Sequence, residues 1–137
     1  EGVRIGAVVL APPRVTGEPL RYVGRVVSAE RSRARVLLPR DPASLIPVSI
    51  EGLGADGFLA RGTGRGIRCL YLTGQDANAL GYDSRVLLAP VALPEGQERE
   101  MIEVGRIRLP SRAEEAFYTT GVSYSVDPAR LEWVILR

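Results

Sequence analysis

Histidine and lysine are both absent from this chain of 137 residues, so its 18 basic residues are all arginine. Without an imidazole there is no histidine general base, no Ser-His-Asp triad and no imidazole metal site. Without a lysine ammonium there is no Schiff-base nucleophile and no P-loop lysine. The single cysteine, Cys69, provides neither an internal disulfide nor a cysteine-cluster zinc site. No apolar run approaches the roughly 20 residues a membrane-spanning helix needs. Nor does any segment hold an apolar 3.6-residue period long enough for a substantial helix. A paired Asp-Thr/Ser-Gly constellation of the aspartic-protease kind is missing too, since the lone Asp83-Ser84 is followed by arginine. The chain reads as non-enzymatic, with no cofactor and no metal.

What remains is a globular composition, 45% apolar and 25% charged, well away from the disordered range. The net charge of +2 comes from arginines interleaved with acids. Only Arg31, Arg33 and Arg35 cluster, and alternate residues of a strand share one face. Three arginines without interleaved aromatics make a thin nucleic-acid stripe; a charged edge strand protected from aggregation is the simpler explanation. Starting in mid-phrase at Glu1, the chain is expected to be a fragment of a longer protein.

Fifteen glycines and ten prolines cut the chain at intervals that suit short strands. Strands are expected near 3–10, 20–28, 33–39, 46–51, 57–61, 67–73, 84–89, 102–109, 117–125 and 132–137. Turn signals at this spacing predict an all-β chain, a sandwich or small closed barrels. About ten to twelve short strands and at most one or two helical turns are expected. The expected modules are residues 1–54 and 55–137, the last strand being free to return to the first.

Ser111, with Glu114 three residues on, predicts a helical turn over 111–116. Asp127-Pro128 predicts another before Leu131. The polar stretch 74–81 reads as a loop, and the acidic 93–100 stretch as an exposed one. Arg61-Gly-Thr-Gly-Arg-Gly66 carries enough glycine to cradle a phosphate, but a strand pattern follows it and not a helix, so a hairpin is expected. The carboxylate pairs Glu114/Glu115 and Glu98/Glu100 read as solvated faces. Cys69 in Ile67-Arg-Cys-Leu-Tyr71 reads as a buried small hydrophobe. Phe58, Tyr71 and Trp133 are expected in the core; Tyr22, Tyr118 and Tyr124 join Arg31, Arg33 and Arg35 as partner-binding candidates.

The most distinctive stretch runs from Tyr22 to Ile50: Val23-Gly-Arg-Val-Val27, Arg35-Val-Leu-Leu38, Asp41-Pro42, Ser44 and Pro47-Val48. These phrases resemble the periplasmic domain of the rod shape-determining MreC family. The likeness continues in order through Gly2-Val-Arg-Ile-Gly6, Gly57-Phe-Leu59, Arg61-Gly-Thr-Gly64, Leu70-Tyr-Leu72, Asp76-Ala77 and Gly81. It closes with Val104-Gly-Arg-Ile107, Phe117, Val126-Asp-Pro128 and Leu131-Glu-Trp-Val134. Its structural motif positions here are Gly24, Asp41, Pro42, Pro47, Gly62, Gly64, Gly81 and Gly105. The chain departs from the family pattern at Tyr82, in the absence of Thr-Ser-Gly after Val86-Leu-Leu88, in the acidic 97–100 stretch and in a longer segment from Pro12 to Pro19.

The resemblance implies a diverged member: two small antiparallel β-barrels side by side, serving as a non-catalytic scaffold of the cell-elongation complex on the periplasmic side of the inner membrane. An upstream transmembrane helix and coiled coil would anchor it. Its partners would be copies of itself, as a homodimer or filament, and murein-synthesis enzymes, notably a transpeptidase. The alternative from composition is a nucleic-acid or ribosome-associated small β-barrel module, which the mixed charge pattern disfavours.

Overall fold

The computed structural model describes residues 3–54, 57–93, 96 and 100–137. Ten strands form among the described residues: β1 (Val8–Ala11), β2 (Leu20–Ala29), β3 (Ala34–Leu37), β4 (Leu45–Ile50), β5 (Phe58–Gly62), β6 (Ile67–Leu72), β7 (Arg85–Leu88), β8 (Ile102–Glu114), β9 (Phe117–Tyr124) and β10 (Ile135–Leu136). The all-β expectation holds. One α-helix, α1 (Gly74–Ala79), interrupts them.

The alternation in β4 shows why these segments become strands. Ile46, Val48 and Ile50 are buried while Leu45 is exposed and Pro47 and Ser49 are half-buried. Pro47, which has no N–H to donate, lies outside the stretch Val48–Ile50 that pairs with β7.

Strands β4 to β9 close into a six-stranded antiparallel barrel: β4 pairs with β5 and β7, β5 with β6, β6 with β9, β9 with β8 and β8 with β7. Strands β10, β1, β2 and β3 form an open antiparallel sheet beside it. The last strand, β10, pairs with β1, Val9 lying opposite Leu136. Residue 54 falls between β4 and β5, which pair with each other in the barrel. A short parallel seam joins the two parts, with Leu20 opposite Ile102 and Arg21 opposite Glu103.

One apolar cluster fills the barrel and continues under the open sheet through Val8, Leu10 and Tyr22. A smaller cluster, with Val9, Ala11, Val23, Val26 and Val126, occupies the sheet's other face. Successive residues of β1 therefore feed opposite cores, and burial on both faces explains its unbroken apolar run.

Several local expectations change. Residues 111–114 are not a helical turn: β8 runs on to Glu114, because β9 offers it partners at Thr119, Tyr118 and Phe117. Residues 74–79 are not a loop but α1, nucleated by a capping box in which the Thr73 hydroxyl and Asp76 carboxylate each accept the other's backbone N–H at 3.0 Å. The turn at Asp127 forms as expected, a single 3₁₀ turn whose first N–H groups include Ala129, bonded to Asp127 Oδ1 at 3.1 Å. Trp133 and Tyr71 are exposed, not core, at 59% and 44%.

Candidate interaction surface

The partner-binding candidates do not converge. Arg31, Arg33 and Arg35 are exposed on and beside β3, whose only pairing among the described residues is with β2. Tyr22 is no surface residue: it is 2% exposed, because its side of β2 faces the main core. Burial raises its phenol pKa. Tyr124 is half-buried, its hydroxyl donating to the Val23 carbonyl at 2.5 Å across the junction of sheet and barrel, and burial raises its pKa as well. Tyr22 therefore presents almost no surface, and Tyr124 only part of its ring. Their flanking serine and threonine suggested exposure for Tyr124, but only the sheet-on-barrel packing decides it. Tyr118 alone stays at the surface, 36% exposed near the outer end of the β8–β9 ribbon.

The Tyr124 bond gives a direct test. Tyr124→Phe keeps the ring in the core and leaves the Val23 carbonyl without this donor, which costs about 1 kcal/mol. A lowered midpoint in denaturant unfolding, with an unchanged slope, is the expected result.

The exposed apolar groups that do gather were not foreseen. A register shift in β6 between Cys69 and Leu72 places Tyr71 at φ 69° and turns its ring outward. There it meets Phe117 edge to face, with ring centroids 5.5 Å apart and Phe117 42% exposed. Beside Tyr71 an apolar groove of about 490 Å³ runs along Pro47, Phe58, Leu59, Pro90 and Val91. Phe58 itself is 2% exposed, as expected of a core residue. A second groove of about 600 Å³ lies between the N-terminal segment, Val91–Leu93 and the end of β10, with Arg4, Arg25 and Arg137 among its walls. The outward turn of Tyr71 follows from a backbone irregularity that alternation cannot announce.

The motif residues of the sequence occupy the places where backbones crowd. The Asp41-Pro42 turn is closed by the Asp41 carboxylate accepting from Ala43 N at 2.8 Å. It lies directly against the β5–β6 hairpin: Gly62 N donates to the Ser44 carbonyl at 3.1 Å and Gly64 N to the Arg40 carbonyl at 2.8 Å. The Arg-Asp-Pro and Gly-Thr-Gly phrases are thus two halves of one contact. Gly64 has φ 87°, and the hairpin is closed by Thr63 with Gly66, as expected of a turn and not of a phosphate cradle. Gly24 and Gly105 lie so close to the Leu37 and Ser123 carbonyls that no β-carbon fits there. Gly81 has room for one only if the Ser84 hydroxyl moves.

No catalytic arrangement emerges among the described residues. Glu114 and Glu115 are exposed at the ribbon tip. Glu100 pairs with Arg137 at 3.4 Å, while Glu98 lies outside the described residues. No group of three metal-ligating side chains is found among the described residues. Cys69 is fully buried, and burial pushes its thiol up to about 12. A thiol with a raised pKa stays neutral while its unfolded counterpart ionises near about 8.5, so it stabilises the fold below that pH and the contribution is lost as pH rises toward the folded value. Folded protein at pH 8 is therefore expected to resist alkylation by iodoacetamide, and denatured protein to react at once; equal rates would contradict the burial.

The strongest polar cluster lies at the parallel seam and was also unforeseen. Glu103 is 6% exposed, its Oε2 accepting from the Ser125 hydroxyl at 2.5 Å. Its Oε1 lies 3.4 Å from Arg85 Nε and 3.5 Å from an Arg106 nitrogen. An acid inside Met101-Ile-Glu-Val-Gly105 is the one signal the sequence offered.

No protein-family model and no curated protein matches the sequence. Solved structures do. A structure of MreC aligns with a TM-score of 0.75 and 20% identity over 98% of this chain and 70% of the other. The crystal structure of MreC from Pseudomonas aeruginosa aligns with the same TM-score and identity, over 98% of this chain and 81% of the other. The chain has the MreC fold, in a strongly diverged sequence.

Proposed function

We propose that this domain is a non-catalytic scaffold of the bacterial cell-elongation complex, working on the periplasmic side of the inner membrane. It would organise murein synthesis by associating with its own copies and by docking a transpeptidase and other peptidoglycan-synthesis proteins. The observation that carries the proposal is the MreC fold over 98% of the chain. The order of the sequence phrases supports it, because the motif glycines and the Asp-Pro turn sit where that fold brings backbones together. Available surfaces suit a scaffold: the outer edge of β3, and the apolar groove beside Tyr71 and Phe117. No helix among the described residues is long and apolar enough to cross a membrane.

A second reading rests on the exposed Arg31, Arg33 and Arg35, which suit a polyanion as well as an acidic protein face. Affinity capture from a detergent-solubilised membrane fraction, with this domain immobilised and the bound proteins identified by mass spectrometry, separates the two. Enrichment of a murein transpeptidase and its elongation partners supports the scaffold. Enrichment of ribosomal or RNA-associated proteins, with envelope enzymes absent, overturns it.

A further inference from the structure

The seam between open sheet and barrel is a parallel ladder of two residue pairs, with apolar contacts from Val8, Leu10 and Tyr22 beneath it. Apolar contact is non-directional and tolerates sliding. A ladder of two residue pairs contributes few directional bonds of its own. Across this seam runs a chain of directional bonds. Arg85 and Arg106 of the barrel face Glu103 Oε1, and Glu103 Oε2 accepts the Ser125 hydroxyl. The Ser125 carbonyl accepts from Arg14 at 2.8 Å and from Arg21 at 3.0 Å. Arg14 belongs to the segment between β1 and β2, and Arg21 to β2, so each end of the chain is anchored in a different part of the molecule.

Burying a carboxylate costs several kcal/mol and its ion pairs return about that much, so the cluster as a whole adds little net stability, although removing the acid alone leaves its partners unpaired. What the acid supplies is direction: the carboxylate accepts from Ser125 on one oxygen and meets two guanidinium groups on the other.

We propose that Glu103 is a positioning residue, which through Ser125 and Arg14 fixes how the open sheet sits on the barrel. It thereby sets the spacing between the arginine edge of β3 and the Tyr71–Phe117 surface. The inference stands whether or not the scaffold role does.

Double electron–electron resonance between nitroxides at Arg35→Cys on β3 and Gln75→Cys on α1 reads that spacing. The buried Cys69 takes no label in the folded protein. The parent is expected to give one narrow distance distribution. Glu103→Met is expected to broaden it or split it into two maxima, and to lower the melting temperature as well, because Ser125 and the two arginines lose their acceptor. Arg14→Ala, which removes an exposed side chain bonded to the Ser125 carbonyl, should broaden it as well. A folded Glu103→Met variant with the parent's narrow distribution overturns the proposal. Should that variant fail to fold, Glu103→Gln decides: it keeps an acceptor for Ser125 but loses the charge facing the arginines. A broadened Gln distribution supports a positioning role, and the parent's distribution overturns it.

Discussion

Gly62→Ala is expected to be the most damaging single-atom change in the chain. An added β-carbon would overlap the Asp41 carbonyl oxygen and lie 2.5 Å from the Arg40 carbonyl carbon. Both are backbone atoms of a turn held by its own bonds, Asp41 N to the Leu38 carbonyl and Ser44 N to the Asp41 carbonyl, so neither moves freely. Relief requires separating the Asp-Pro turn from the β5–β6 hairpin, which also breaks the Gly62–Ser44 and Gly64–Arg40 bonds. Overpacking of this kind costs about 3 kcal/mol or more. Against a total of roughly 5–15 kcal/mol, that is a large share. Thermal unfolding should show a fall of roughly 10 °C or more, or no folded state. Gly66→Ala is the control, because nothing lies within 4 Å of the added atom and its φ is ordinary. Equal melting temperatures for the two variants would show that the contact between turn and hairpin is not tight.

The second large effect belongs to Leu10→Ala. Leu10 is fully buried and projects from β1 of the open sheet into the cluster that fills the barrel. Removing its side chain takes away apolar contact and leaves a cavity where sheet and barrel meet, which costs about 2–5 kcal/mol. Because the cavity belongs to both parts, the loss should lower the midpoint for both together. Trp133 fluorescence, from beside β10, and far-ultraviolet circular dichroism, dominated by the barrel strands, should give coincident unfolding curves in parent and variant alike. Separate transitions, with only the fluorescence curve shifted, would mean that the open sheet unfolds independently of the barrel.

Legibility in the sequence followed the range of the interaction concerned. Cys69, Phe58 and the Asp127 turn were read correctly because each rests on a local pattern, an inward position in an alternating run or a cap with its proline. The helical turn expected from Ser111 was also a local inference, and it failed because β9 competes for the same backbone groups with a ladder from Glu114 to Arg112. The stretch 74–81 failed in the other direction. Its polar residues looked like a loop, yet the capping box of Thr73 and Asp76 was present in the sequence and was the signal overlooked. Tyr71 and Trp133 were assigned to the core from apolar neighbours, whereas a register shift in β6 and the brevity of β10 leave both rings outside.

The sequence by itself determined the all-β class, through short β-branched runs broken by glycine and proline. It also excluded histidine- and lysine-based chemistry, since no fold supplies a missing imidazole or ammonium. Tertiary structure alone decided which strands closed the barrel, that β2 would meet β8 in parallel, that Tyr22 and Tyr124 would turn inward and that Glu103 would be buried among arginines. Those outcomes depend on pairing between residues far apart in the chain, and hydrogen-bonding partners so distant leave no periodicity in the sequence near either of them.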